Sequence, residues 1–598
     1  MKTYRVTQLR KESMETEATL STERAELISE FYKKERGLVS APVFRAMAFE
    51  YLLENEHIHI GEYELIVGEK GAKPKSAPTF PELCCHSLND LQQLHHREKV
   101  PFTVSEDAHK IYADEIIPFW QGKTMRDLIF QEMTPDWIDS YEAGIFTEFM
   151  EQRAPGHTVL DDKIYKKGML DFKSDIENRL RSLDFHSDAE AYKKEQELKA
   201  MGICADALIK YAGRYAAKAR MLGEHETDPG RKRDLDRIAE VCSRVPANAP
   251  RNFWEAIQYY WFVHLGVTKE LNTWDAFSPG HLDRHLYPFY KVELEAGTLT
   301  KDQAEELLQC LWVKFHNQPA PPKVGVTAEE SGTYNDFAQI NLGGLMEDGS
   351  DGINDVTYLI LDVVEEMRLV QPSVSIHVSK KSPNRFINRA ARIIRTGFGQ
   401  PSIFNSDAVI QEMVGMGKSL RDARNGGTSG CVETGAFGKE NYCLTGYLNL
   451  PKILEIALHN GIDPRTGKEI GLRTGDPNAF ETFDELFEAF KKQLAHFVDI
   501  KIRANQVIEQ LYAHYLPAPF LSLLIDDCVE RGMDYHVGGA RYNTSYIQGV
   551  GIGTISDSLS ALSRHVFDEH IWSMKELIEI LEVDFKGHER ERLRLINR

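Results

Sequence analysis

The sequence contains no CxxC pair, no apolar run approaching the roughly 18 residues of a membrane-spanning helix, no internal repeat and no Ser/Gly linker. Each absence closes off a class of protein. Eight cysteines, at positions 84, 85, 204, 242, 310, 431, 443 and 528, lie scattered without a metal-binding spacing. Neither a zinc knuckle nor a disulfide framework is expected, and the thiols suit a reducing compartment. Met1 leads into a charged, mixed segment with no apolar h-region, which predicts neither a secretory leader nor a membrane anchor and points to a cytoplasmic protein. Positive charge is in short supply: 71 Lys and Arg face 91 Asp and Glu, a net charge of -20. That balance argues against a nucleic-acid partner, which calls for a basic face. What is present, 42% hydrophobic and 27% charged residues, is the composition of a globular protein with a sizeable core.

Without a linker the chain reads as one continuous domain over 1-598. Residues 1 to about 250 read as mainly helical, interrupted by a strand-like run at Tyr63 to Val67 and a Pro/Lys-rich loop from Gly71 to Pro81. From about 370 to 598 strands and helices alternate. Gln371-Pro372 opens the period-two run Val374, Ile376, Val378. Ser382 as N-cap and Pro383 at the first helical position then start a helix that Gly397 ends, and Pro401 to Asn405 reads as the next strand of a βαβ unit. Thr300 with Gln303, and Thr482 with Glu485, are capping-box signatures that open two amphipathic core helices. Buried strands joined through covering helices predict an α/β fold, either a large barrel or a doubly wound sheet, a choice that periodicity leaves open.

The strongest chemical signal is Ser429-Gly430-Cys431-Val432-Glu433-Thr434-Gly435, with Gly426, Gly427 and Gly438 nearby. Glycines on both sides permit positive φ and close backbone approach, so the segment predicts a tight loop that pushes one thiol into a confined space, two residues from a carboxylate. A free cysteine is more often a small buried hydrophobe. Here a glycine-rich loop offers little apolar surface, and a neighbouring Glu is costly to bury without a purpose. Ionisable groups so placed gather at active sites.

Three further clusters combine polar groups with aromatic or proline neighbours. Thr273-Trp274-Asp275-Ala276-Phe277-Ser278-Pro279-Gly280 sets an acid in an apolar, turn-prone segment, where a helix-start Asp is the competing explanation. Arg153-Ala154-Pro155-Gly156-His157-Thr158 is a loop with a histidine, a type more often bland than catalytic. Ser331-Gly332-Thr333-Tyr334-Asn335-Asp336-Phe337 offers hydroxyls, backbone N–H groups and an aromatic wall, the mixture of a small-molecule pocket. His281 and His285 have the i, i+4 spacing of a metal pair without an adjacent Glu or third ligand, and read as surface helix histidines, so no metal is expected. Gly549-Val550-Gly551-Ile552-Gly553 lacks the GxGxxG spacing and reads as a strand-to-helix turn, so no nucleotide is expected either. Cys84-Cys85-His86 has no suitably spaced partner and receives no role.

Gly430-Cys431-Val432-Glu433 in its glycine-rich loop resembles the cysteine finger of the glycyl radical enzymes, the superfamily of pyruvate formate-lyase. A single cysteine followed by Val-Glu is similar to the dehydratase and lyase branch, whereas formate-lyases proper carry two consecutive cysteines there. The segments around His157, Asp275, Ser331 to Phe337 and Cys431 to Tyr447 extend the likeness through the whole chain. The resemblance implies a ten-stranded α/β barrel surrounded by helices, with the finger at its centre, and a radical dehydratase with 4-hydroxyproline as substrate. It implies Cys431 as the thiyl radical, Glu433 as the acid/base, and Asp275 and His157 as partners of the substrate hydroxyl and its proton-transfer path. Ser331, Asp336, Phe337, Phe149 and Tyr447 would line the pocket or hold the amino-acid end. It further implies a protein-derived glycyl radical, a separate S-adenosylmethionine activating enzyme with an iron-sulfur cluster, a homodimer and anaerobic function.

Family members end with a radical-bearing glycine in an Arg-Val-x-Gly-Tyr motif, and that motif does not occur here. Arg541-Tyr542-Asn543 does not replace it, and Gly587 sits in a charged, helix-like context. The expectation is a catalytic body without its glycyl radical domain and a barrel incomplete at the C-terminus, as a fragment of a longer protein ahead of a split enzyme or an inactive relative. Competing expectations are a radical eliminase for glycerol, propanediol or an aminoalcohol, a formate C-acetyltransferase-like enzyme, a cysteine hydrolase pairing Cys431 with His157, and a non-catalytic relative.

Overall fold

The computed structural model describes residues 2–35, 37–154, 158–272, 277–325, 328 and 335–596. The chain divides into two compact units, one made of Met1–Asp127, Gln152–Cys443 and Tyr512–Thr544, the other of Leu128–Glu151, Leu444–Leu511 and Ser545–Arg598.

At the heart of the first unit lies the helix Phe253–Leu271, capped by the Asn252 side chain and buried along almost its whole length. Apolar side chains dominate it, and its buried polar ones, such as Gln258, find partners within the core. No strand forms at Tyr63 to Val67. The apolar alternation there is real, but side chains of this helix take the place of a neighbouring strand. Gln258 exchanges hydrogen bonds with both the N–H and the C=O of Val67, at 2.9 and 2.9 Å. Trp254 and Trp261 donate to the carbonyls of Leu65 and Gly68. Buried backbone has to be paired, and amide or indole groups serve as well as a strand. The strand of this region instead lies inside the expected loop, where β2 (Ser76–Pro78) runs parallel to β1 (Thr19–Ser21).

A parallel array in the same unit carries the βαβ unit expected from the sequence. β3 (Gln339–Gly343) pairs with β4 (Ser373–Val378), which pairs with β5 (Ser402–Asn405), in a register that sets Ile340 beside Val374 and Ile376 beside Ile403. Single parallel bridges, Gly280 to Ile340 and Val159 to Ser278, carry the array two segments further. The helix Asn384–Ile394 links β4 to β5, with Pro383 rather than Ser382 at its N-cap and the left-handed Gly397 three residues past its end. The Thr300 and Gln303 capping box opens Lys301–His316 as expected. Thr482 and Glu485 exchange the corresponding bonds at the start of Phe483–Tyr515.

Beyond the array, β6 (Gly427–Ser429) and β7 (Glu433–Gly435) form an antiparallel hairpin, and β8 (Glu440–Asn449) pairs with β9 (Tyr542–Val550). β9 passes through Gly551 at φ 81° into the helix Ile552–Leu562, the strand-to-helix turn expected for Gly549 to Gly553. Gly587, expected in a helix-like context, takes φ 81° in the turn between Met574–Glu582 and Glu589–Ile596. The architecture is the helix-rich α/β type, with nine strands formed among the described residues.

Burial makes the core of the first unit sensitive to acid. It holds the His264 and His377 imidazoles down to about 3, against the usual 6.5. The unfolded chain takes up a proton at each near 6.5 while the folded chain does not, so stability is lost as the pH falls from 6.5 towards 3. Thermal melts should therefore show Tm dropping between neutral pH and about pH 5, with a shallower drop in His264→Asn. An unchanged slope in that variant would remove His264 from the account.

Candidate active site

The chemically promising loop is a finger built as a β-hairpin. Thr428 sits opposite Thr434 and Ser429 opposite Glu433, which leaves Gly430, Cys431 and Val432 as a three-residue tip. Gly430 adopts φ 56°, a left-handed step that glycine takes at no steric cost. The other glycines are needed for close approach. A Cβ on Gly435 would fall within the Tyr442 ring, and one on Gly427 would lie 2.7 Å from both Asn341 Oδ1 and the Phe437 ring. Gly435→Ala should cost about 1–3 kcal/mol in denaturant unfolding through overpacking. Gly553→Ala, whose Cβ meets nothing within 4 Å, should be neutral or slightly stabilising. Equal effects from both would mean that the hairpin tolerates a side chain at its base.

At the tip, Cys431 is the one exposed cysteine of the eight; six are buried and Cys85 is half-buried. Glu433 is buried beneath it. Its Oε2 accepts the N–H of Cys431 at 2.8 Å and the N–H of Val432 at 3.0 Å. The two-residue spacing thus delivers more than proximity: the carboxylate folds back and clamps the backbone that carries the thiol.

Below the tip, His281 is buried, not at the surface. Its Nε2 donates to the carbonyl of Gly426 at 2.9 Å, and its ring packs against Phe437. Burial, aided by Arg284, keeps this imidazole well below its usual range. His285 packs against the Tyr165 ring, and burial pushes it down to about 4. The i, i+4 spacing marks one helix face turned inward, from which His281 reaches the foot of the finger. Among the described residues no group of three or more His, Cys, Asp or Glu side chains is placed to hold a metal.

Asp336 is buried with Lys70 Nζ 2.5 Å from its Oδ2 and Arg153 Nη1 4.0 Å from its Oδ1. Phe337 beside it is half-buried. Lys70, whose ammonium burial draws down to about 8, had no sequence signal, because Glu69-Lys70-Gly71 belongs to no motif. In the second unit, Phe149 and Tyr447 form an edge-to-face pair with ring centroids 4.7 Å apart. Backbone bonds from Phe149 to Thr445 and from Thr147 to Tyr447 fix that pair. Lys501 meets Glu148 at 2.6 Å with both side chains fully buried. Glu148, Lys501 and Lys70 are residues that spacing could not reveal, since their partners are distant in sequence. His157, Asp275 and Ser331 lie outside the described residues.

A parallel-stranded body bearing a single-cysteine finger with a glutamate clamp defines a class. The chain matches the pyruvate formate lyase-like family over residues 1–597. It belongs to that family and is a glycyl radical enzyme of the dehydratase type. It is 56% identical over 585 residues to the trans-4-hydroxy-L-proline dehydratase of Clostridioides difficile, covering 98% of this chain and 74% of that protein. It is also similar to the crystal structure of hydroxyproline dehydratase from that organism with trans-4-hydroxy-L-proline bound, at TM-score 0.96 over 99% of this chain and 75% of that one. The glycerol-bound, B12-independent glycerol dehydratase of Clostridium butyricum is 32% identical, with TM-score 0.93 over 99% of this chain and 74% of that one.

Proposed function

We propose that the chain is the catalytic body of a radical dehydratase that removes water from trans-4-hydroxy-L-proline to give 1-pyrroline-5-carboxylate. The observation that carries this reading is 56% identity, over 98% of the chain, to a dehydratase of that substrate. The finger supports it, with an exposed thiol standing over a carboxylate.

Loss of a hydroxyl from a carbon with no adjacent carbonyl is difficult by polar routes, because nothing stabilises an anion there. The family's glycyl radical supplies one thing, removal of the hydrogen atom from a cysteine thiol, and the exposed Cys431 at the hairpin tip fits that need. The Cys431 sulfur then takes a hydrogen atom from the ring carbon next to nitrogen, whose lone pair stabilises the carbon radical. As the neighbouring C–O bond breaks, Glu433 gives the departing hydroxyl a proton and water leaves. The nitrogen gives up a proton, which replaces the one Glu433 gave, a C=N bond forms, and the odd electron passes to the carbon that bore the oxygen. That carbon takes its hydrogen from Cys431, and the thiyl is restored. General acid help of this type contributes roughly 10²–10⁴-fold.

In this proposal Asp275 and His157 hold the hydroxyl and carry its proton. Ser331, Asp336, Phe337, Phe149 and Tyr447 seat the amino acid, assigned by the resemblance. Asp336 enters as half of a pair, its charge offset by Lys70, so it acts as a hydrogen-bond acceptor more than as a free anion. Because Arg-Val-x-Gly-Tyr does not occur in the sequence, the radical glycine is taken to come from outside these 598 residues. A radical S-adenosylmethionine activating enzyme, a homodimeric state and a cytoplasmic, oxygen-free setting complete the proposal.

The test combines the chain with the polypeptide bearing the radical glycine and with the activating enzyme under anoxia, and measures pyrroline carboxylate. Turnover of hydroxyproline with none of glycerol or propanediol is expected. Turnover of the diols alone would establish a second reading, which the likeness to glycerol dehydratase favours. No turnover of any of these substrates, with the radical detected by electron paramagnetic resonance, would make the chain a non-catalytic relative.

A further inference from the structure

We infer that Asn341, held by His377, is a positioning residue for Cys431: its carboxamide fixes the finger at the place from which the thiol works. The inference rests on the radical reading for what Cys431 does, but its geometry stands apart from that reading. On one edge β6 pairs with β7. On the other, the backbone of its central residue Thr428 is met by the Asn341 side chain from β3.

Asn341 Nδ2 donates to the Thr428 carbonyl at 2.8 Å, and the Thr428 N–H donates to Asn341 Oδ1 at 3.0 Å. One carboxamide therefore satisfies both backbone groups of one residue, as a neighbouring strand would. An N–H only donates and a carbonyl only accepts, so the orientation of the amide is fixed. Its Oδ1 accepts also from Thr428 Oγ1 at 3.2 Å and from His377 Nε2 at 2.5 Å, which places the His377 proton on Nε2. Gln339 Nε2 donates to Thr428 Oγ1 at 3.2 Å and also to Ser375 Oγ. Asn341, Thr428, His377, Gln339 and Ser375 are all buried, so no solvent replaces a lost partner. Thr428 stands three residues before Cys431 in a hairpin whose tip Glu433 clamps, so a shift at Thr428 is passed to the sulfur. A misplacement of about 1 Å costs on the order of 10²-fold in rate.

The experiment compares Asn341→Ala, Asn341→Asp, His377→Leu and His377→Gln. In the activated holoenzyme the first three should lower kcat on the order of 10²-fold with KM nearly unchanged and with the same radical content. His377→Gln, whose amide can donate from the place of Nε2, should recover most of the loss. In the unactivated chain in air, iodoacetamide should label Cys431 at a several-fold altered rate in the first three variants while the six buried cysteines stay unlabelled. Wild-type kcat and Cys431 labelling in Asn341→Asp and His377→Leu would overturn the proposal. So would labelling of the buried cysteines in step with Cys431, which marks general loosening. Should wild-type holoenzyme turn over no substrate, the radical reading fails while the labelling still decides the clamp.

Discussion

Cys431→Ser brings turnover of the activated enzyme to background, a loss of at least about four orders of magnitude, the size that goes with removal of an essential reacting group. Serine keeps the volume of the tip and nearly its polarity, so the finger should stay folded and stability should change by no more than about 0.5 kcal/mol at so exposed a position. The chemistry is what disappears. An O–H bond is much stronger than an S–H bond, so a hydroxyl is not converted to a radical by a partner that handles a thiol. No other cysteine takes over, because the remaining seven are buried or half-buried. Product formation, measured beside radical content by electron paramagnetic resonance, checks this. Undiminished pyrroline carboxylate from Cys431→Ser would remove the thiol from the mechanism.

Glu433→Gln separates the two tasks the structure gives that residue. The amide oxygen can still accept the N–H groups of Cys431 and Val432, so the tip should keep its shape and its thiol labelling rate. It has no proton to give the departing hydroxyl in the manner of an acid, so kcat should fall by roughly 10²–10⁴-fold with little change in KM. Glu433→Ala removes the clamp as well and should show the same loss together with an altered labelling rate at Cys431. Steady-state kinetics and labelling on the two variants decide the matter. Full activity in Glu433→Gln would leave the carboxylate a clamp and nothing more.

The finger was legible because its signal is local. Glycine density around one cysteine and one glutamate announces a tight turn with reactive groups, and the hairpin of Gly427 to Gly435 delivers it. What each glycine is for was not legible. Gly430 supplies a left-handed step, whereas Gly427 and Gly435 make room for Asn341, Phe437 and Tyr442, residues whose approach no spacing announces. The βαβ unit and the capping boxes were readable for the same reason as the finger: periodicity and caps act over a few residues.

The misreadings come from long-range pairing. Tyr63 to Val67 alternates like a strand, but Gln258, 191 residues away, satisfies its backbone. His281 and His285 on one helix face look alike whether that face meets solvent, a metal or the foot of a hairpin. Burial decided it, and burial depends on the whole fold. Asn341 and Thr428 lie 87 residues apart and belong to no motif, so the side chain that anchors the finger could be found only in three dimensions.

The central claim is that the Cys431 sulfur takes a hydrogen atom from the ring carbon beside the substrate nitrogen. Its most direct test is turnover of trans-4-hydroxy-L-proline carrying deuterium at that carbon, under anoxia with the activated enzyme, with the product trapped by reduction as it forms. The account predicts a primary isotope effect on kcat/KM and a product that keeps one deuterium on the carbon next to nitrogen. No isotope effect, with turnover persisting in air without activation, would contradict it.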